Sequence, residues 1–214
     1  MYTAENRKLL PHINNNYDFS ELLSEYLGEL NVSHTGSGYR APTTRESAST
    51  ANLGVFYDWT WKDDGLKVTE IVKGGPFDKA SSKLEAGDVI TSIDGIQIKK
   101  GMDFYPLLDR KAGERTLIGI TKASGEKTDM VILPISDAAF TALLYKRWVR
   151  DNARKVTELS GGRLGYVHIE GMNDASFRTV YSDILGRYNN CEGIVIDTRF
   201  NGGGRLHEDI EVLF

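Results

Sequence analysis

Apolar and polar positions change their period three times along the chain. From Asp18 to Leu30, the residues Phe19, Leu22, Leu23, Tyr26, Leu27 and Leu30 recur at the spacing of one helical face. Asp18, with Glu21 three residues on, reads as a capping box that opens this helix. After Leu30 the periodicity stops: Asn31 to Tyr39 is polar and glycine-containing, and Ala41 to Thr50 is a Ser/Thr/Pro-rich stretch of linker character. Between Leu53 and Leu133 the pattern turns to short strands, expected over 53–57, 66–72, 89–93, 97–98, 116–121 and 128–133. Asp63-Asp64-Gly65, Asp94-Gly95 and Ser124-Gly125 supply the turn residues between them. Short helices are expected near Phe77 to Ala80 and Met102 to Leu108, within an all-β barrel.

Beyond Pro134 the helical period returns. Asp137 is the expected cap of a helix with Phe140, Leu144, Trp148, Val156 and Leu159 on one stripe, ended by Gly161-Gly162. A strand at Leu164 to Ile169, a helix opening at Asp174 and a continuously apolar strand at Gly193 to Ile196 make a βαβ unit, so the two strands should be parallel. Parallel strands want both faces covered, and this α/β layer therefore reads as truncated at Phe214. The fold class expected is α+β and multidomain. Its parts are a helical segment with linker over 1–49, a β-barrel domain over 50–136 and the first part of an α/β core over 137–214.

Composition narrows the function classes. Lys and Arg number 26 against 30 Asp and Glu, a net charge of −4 over 214 residues, so no overall basic field exists to neutralise nucleic-acid phosphates. Hydrophobic residues at 40% fit a packed globular chain rather than a disordered one. No apolar run approaches the roughly 18 residues of a membrane helix, and Met1 to Leu10 lacks a signal-peptide core. Cys191 is the single cysteine, which leaves no internal disulfide and no paired-cysteine metal site. No metal or organic cofactor is implied, and the compartment stays open between cytoplasm and periplasm.

Three places carry candidate chemistry. Asn201-Gly202-Gly203-Gly204 follows a parallel strand and precedes a helix, where α/β proteins bind ligands. Its glycines allow successive N–H groups to converge on a phosphate or on the oxyanion of an acyl-transfer intermediate; a strained turn with no ligand is the bland alternative. The motif has neither the Gly-Lys-Ser/Thr of a P-loop nor dinucleotide-site spacing. Ser33-His34 follows the first helix, and a histidine titrating near neutrality suits a general base, although such a loop residue is often only solvated surface. His12, His168 and His207 have no better context; His168 shares one face of its strand with Tyr166.

The third place is Gly87-Asp88-x-Ile90-x-x-Ile93-Asp94-Gly95, which resembles the strand–turn core of PDZ domains. Leu53-Gly54-Val55 is similar to their carboxylate-binding loop, whose N–H groups would receive a peptide's terminal carboxylate while the peptide adds a strand to the sheet edge. In order, the helix with Ser33-His34, the PDZ-like domain, and the runs Gly162 to Ile169 and Gly193 to Gly204 resemble the tricorn-type branch of the C-terminal processing serine peptidases. That resemblance implies a PDZ-like domain inserted between an N-terminal helical segment and an α/β peptidase core. It implies His34 as catalytic base with Ser33 beside it, Gly202 or Gly203 as oxyanion donor, and a nucleophilic serine and a glutamate beyond residue 214. Its substrates would be short or unfolded peptides, hydrolysed by acyl transfer; nucleic acid is no expected partner, and a homo-oligomer remains an option. The rival reading is a non-catalytic PDZ-type module that captures peptide carboxyl termini.

Overall fold

A computed structural model describes residues 2–42, 48–204 and 206–213. The chain divides into two compact units, residues 1–47 and 48–214. Much of the stretch read as a linker, 43–47, lies outside the described residues.

In the first unit, helix α1 (Tyr2–Asn6) runs into a 3₁₀ turn (Arg7–His12), and helix α2 spans Asn16–Gly28. The expected cap at Asp18 is displaced by one turn. Asn15 is extended and its side chain accepts from Asp18 N at 2.9 Å, while Asp18 Oδ2 accepts from Asn14 N at 3.2 Å. Asn caps as well as Asp does, and the chain leaves extended geometry at Asn15, so Asp18 becomes the third helical residue. The expected apolar face is real but thinly covered: Leu22 is buried, whereas Phe19, Tyr26 and Leu30 are exposed. Leu30 falls past the end of the helix.

The second unit begins with an antiparallel sheet of β1 (Val55–Tyr57), β2 (Leu66–Ile71), β3 (Val89–Ile93), β4 (Ile96–Gln97), β5 (Thr116–Thr121) and β6 (Lys127–Ile132). The order is β1-β2-β3-β5-β6, with β4 paired to β3. The ladders thus form an open path rather than the closed barrel expected, and an isolated bridge between Asn52 and Ile135 joins the segments that flank its two ends. The core is built from inward-facing strand positions, among them Val55, Val68, Ile90, Ile93, Ile118, Ile120 and Ile132, the alternation in β3 being broken by a register shift between Ile90 and Ser92, with Leu53, Phe77, Phe104 and Leu108 from the connections. The short helices are 3₁₀ turns at Ala80–Ser82 and Tyr105–Leu108, the first lying later than expected because Phe77 is drawn wholly into the core.

The Gly-Asp signature has a structural explanation. Buried Asp88 accepts from Glu85 N, Ala123 N and Lys122 Nζ, each at 2.9 Å, and so ties the turn before β3 to the β5–β6 hairpin. Burial alone would raise its carboxyl, but the Lys122 ammonium and the backbone donors hold it below the ordinary value. Asp94 does the same at the β3–β4 turn, accepting from Lys111 Nζ and Leu117 N.

Helix α3 (Asp137–Ser160) follows, and its cap is Ser136, one residue before the expected Asp137: Ser136 Oγ accepts from Ala139 N. Strands β7 (Leu164–His168) and β8 (Gly193–Asp197) are parallel, in register from Leu164 with Gly193 to His168 with Asp197. Between them lie α4 (Asp174–Ser182), capped by Asn173, and a π turn (Asp183–Arg187). Val167, Ile169, Val180 and Tyr188 form the core of this layer. Strand β8 is less buried than its apolar sequence suggested, with Val195 and Ile196 exposed, because among the described residues it pairs with β7 alone. A last helix, α5 (His207–Leu213), follows the glycine turn.

Candidate active site

The carboxyl ends of β7 and β8 converge on a polar cluster. Asp197, at the end of β8, is buried and accepts from the Tyr166 hydroxyl at 2.6 Å, from Arg199 N at 3.0 Å and from Arg199 Nη2 at 2.5 Å. The Arg199 hydrogen bonds outweigh burial and hold this carboxyl far below the usual carboxylate range. Tyr166 responds in the opposite sense: burial, then donation to the Asp197 carboxylate, pushes its phenol well above the ordinary tyrosine value. The Arg199 guanidinium also lies over the Trp148 ring, 5.0 Å from its centroid.

His168, at the end of β7, is buried with both ring nitrogens engaged. Nδ1 lies 2.7 Å from the Tyr145 hydroxyl on α3, and Nε2 lies 2.8 Å from the Arg199 carbonyl. Trp148 meets the imidazole edge-on at 4.9 Å. Burial, with the nearby Glu170 and Asp197 carboxylates, pushes the Tyr145 phenol up to about 12.

The glycine turn is fastened from this side. Asn201 donates its side-chain Nδ2 to the Ile169 carbonyl at 2.8 Å and accepts from Gly203 N at 2.8 Å through Oδ1. Gly204 lies so close to the Met172 backbone and side chain that an added Cβ would come within 2.4 Å of Met172 Cβ. Gly202 faces open space, and among the described residues its N–H has no partner. Phe200, just before Asn201, takes a left-handed φ of 65° and is exposed.

Ser33 and His34 belong to the first unit. Both are exposed, and His34 adopts a φ of 62° in the turn after α2. The strand of chain that follows is held to α2 by a pair of 2.8 Å hydrogen bonds, Ser24 Oγ donating to Ser37 O and Ser37 N donating to Ser24 Oγ. Tyr17 and Tyr39 add an edge-to-face contact at 5.0 Å. The loop is therefore anchored on both sides of a histidine whose ring is open to solvent.

In Leu53-Gly54-Val55 the two apolar side chains point into the core, and Gly54 N donates to Asn52 Oδ1 at 2.8 Å. Gly54 has a φ of 73°, and a Cβ there would meet Pro76 Cδ at 2.6 Å. Beside this loop is a cavity of about 170 Å³ lined by Tyr57, Trp59, Phe104, Tyr105 and, from α3, Phe140. Strand β1 forms the edge of the sheet at this cavity.

Comparison with known proteins gives these pieces a context. Residues 46–128 match the PDZ domain family, and residues 163–214 match Peptidase family S41. The tricorn protease homolog of Saccharolobus solfataricus is 29% identical over 205 residues, covering 92% of this chain and 18% of that protein. The tricorn protease of Thermoplasma acidophilum is 28% identical over 205 residues, covering 92% of this chain and 19% of that one. The crystal structure of the tricorn protease superposes with a TM-score of 0.69 at 26% identity over 98% of this chain and 21% of that chain. The chain is similar to tricorn proteases over 92% of its length, and its last part, residues 163–214, matches Peptidase family S41. It spans between 18% and 23% of the length of the curated relatives it matches.

That Tyr145, His168, Asp197, Arg199 and Asn201 form one cluster is not visible in the sequence. The signals were present singly: Tyr166 and His168 alternate onto one strand face, and Asp197 ends a parallel strand. Only the fold brings Tyr145 to His168, 23 positions apart, and Asn201 to Ile169, 32 apart. Among the described residues no group of three or more His, Cys, Asp or Glu could hold a metal ion.

Proposed function

We propose that the protein is a serine-type peptidase that hydrolyses short or unfolded peptides by acyl transfer. His34 acts as general base toward a serine supplied by sequence outside these 214 residues, and Ser33 helps orient the imidazole. The turn after β8 stabilises the oxyanion. Of its two candidate donors, the Gly203 N–H is spent on Asn201 Oδ1, whereas that of Gly202 has no partner among the described residues and would face developing charge. The observation that carries this reading is the glycine turn at the end of β8, tied by Asn201 to the Ile169 carbonyl, on a chain similar to tricorn proteases over nearly its whole length. The domain plan proposed with it is a PDZ-like domain over 50–136, set between a helical segment at 1–49 and the α/β core at 137–214. The PDZ-like loop Leu53-Gly54-Val55 would guide peptide carboxyl termini.

The test is covalent labelling by a fluorophosphonate probe. The 214-residue chain should not be labelled, since it lacks the nucleophile; a longer form carrying the downstream sequence should be. In that form His34→Ala should cut labelling and kcat by about 10³-fold or more while folding is retained. Rapid labelling of the 214-residue chain, or undiminished activity of the variant, would overturn the assignment.

A further inference from the structure

We infer that His168 is the positioning residue of the glycine turn, setting its shape through the carbonyl of Arg199. The inference rests on the turn's proposed role as oxyanion site. A carbonyl oxygen only accepts, so the 2.8 Å contact to Arg199 O assigns the imidazole proton to Nε2. Nδ1 is then an acceptor, and it takes the Tyr145 hydroxyl at 2.7 Å. Tyr145 thus fixes the tautomer, and Trp148 at 4.9 Å and Tyr145 at 5.5 Å fix the ring plane.

What the ring holds is the peptide that leads into Phe200, a bulky residue in a left-handed conformation that needs outside support. Immediately afterwards Asn201 pins the turn a second time, to the Ile169 carbonyl. The chain between Arg199 and Gly203 is therefore clamped at two points to the end of β7, and both clamps come from residues 168 and 169. Of the two hydrogen bonds that satisfy this buried ring, the one from Nε2 goes to the turn itself, so the imidazole couples the end of β7 to the peptide before Phe200. Misplacing an oxyanion donor by about 1 Å is enough to lower a rate by about 10²-fold.

Amide hydrogen exchange on the 214-residue chain tests this without any activity. A glutamine can place its amide nitrogen near the Nε2 position and an asparagine cannot reach it. His168→Asn should accelerate exchange at Asn201 and Gly203 by about tenfold or more relative to the sheet amides of β5, and His168→Gln should restore slow exchange. Unchanged exchange at both amides in His168→Asn, or equal acceleration in both variants together with β5, would overturn the inference. If His168→Asn does not fold, Tyr145→Phe decides: faster exchange confined to Asn201 and Gly203 supports it, and no change refutes it. In the longer, probe-labelled form, His168→Asn should lower kcat with KM unchanged, with rescue by His168→Gln. Absence of labelling in the unmutated longer form would refute the peptidase reading and leave the exchange result standing on its own.

Discussion

The Tyr166 hydroxyl donates to Asp197 Oδ2 over 2.6 Å, from β7 to the end of the neighbouring parallel strand. This bond and the Arg199 contacts leave the Asp197 carboxylate fully satisfied in a buried position, and they tie the last residue of β8 to the first residues of the turn.

Because the folded state lowers the Asp197 pKa, its stabilisation is fully present above the ordinary carboxylate value near 4 and is lost as pH falls from there toward the folded value. Asp197→Asn should destabilise the chain by about 1–3 kcal/mol at neutral pH, since Tyr166 and Arg199 keep a poorer acceptor. The difference between the two proteins should narrow in urea unfolding below about pH 4. A gap that stays constant down to pH 2 would contradict this.

The tyrosines give the opposite sign. Burial raises Tyr57, Tyr145, Tyr166 and Tyr188, so the fold favours their neutral forms. That stabilisation is complete below the ordinary tyrosine value near 10 and is lost as pH rises through the folded values, about 12 for Tyr145. Phenolate absorbance of the native chain should therefore show a late component that moves down to near pH 10 in urea, and Tyr145→Phe should reduce it. Ionisation of every tyrosine near pH 10 in the folded chain is the contrary result.

Much of the fold was legible because its determinants are local. The Gly87-Asp88 and Asp94-Gly95 turns announce the PDZ domain since each aspartate satisfies backbone N–H groups within its own hairpin or the next. The 3.6-residue period marked α2 and α3, and two apolar runs separated by a helical pattern marked the parallel pair. Caps were displaced because Asn15 and Ser136 compete equally well with the neighbouring aspartates, a contest decided by where the backbone turns extended. The barrel expectation failed because strand alternation reports which face is buried and says nothing of whether β1 and β6 meet. His168 was passed over because its partners, Tyr145 and Arg199, lie 23 and 31 positions away.

The glycines of the turn should differ sharply in tolerance. Gly204→Ala places a Cβ 2.4 Å from Met172 Cβ, at a φ of 152°, and should cost about 1–3 kcal/mol. Gly202→Ala meets nothing within 4 Å and should stay within about 0.5 kcal/mol of the parent chain. Thermal unfolding of the two variants checks the order; equal stabilities would mean that the turn does not rest on Met172.

The Leu53-Gly54-Val55 loop yields a prediction about charge. If it receives a peptide carboxyl terminus, removing that charge by amidation leaves the loop N–H groups a weaker acceptor. A charge-assisted hydrogen bond contributes roughly 1.5–3 kcal/mol, so the free acid should bind about 10- to 150-fold more tightly than its amide in calorimetry. Asn52 Oδ1 now occupies the Gly54 N–H, so an incoming carboxylate has to displace it or use the N–H groups of the flanking residues. The terminal side chain would enter the aromatic cavity of about 170 Å³ that Phe140 helps to close. Phe140→Ala should therefore enlarge the preferred terminal residue while leaving the preference for the free acid intact, because the two effects arise from different groups. Equal binding of acid and amide across several sequences would refute carboxylate recognition. No binding of either peptide by the parent chain, with binding appearing only in Phe140→Ala, would instead make α3 the standing occupant of the groove.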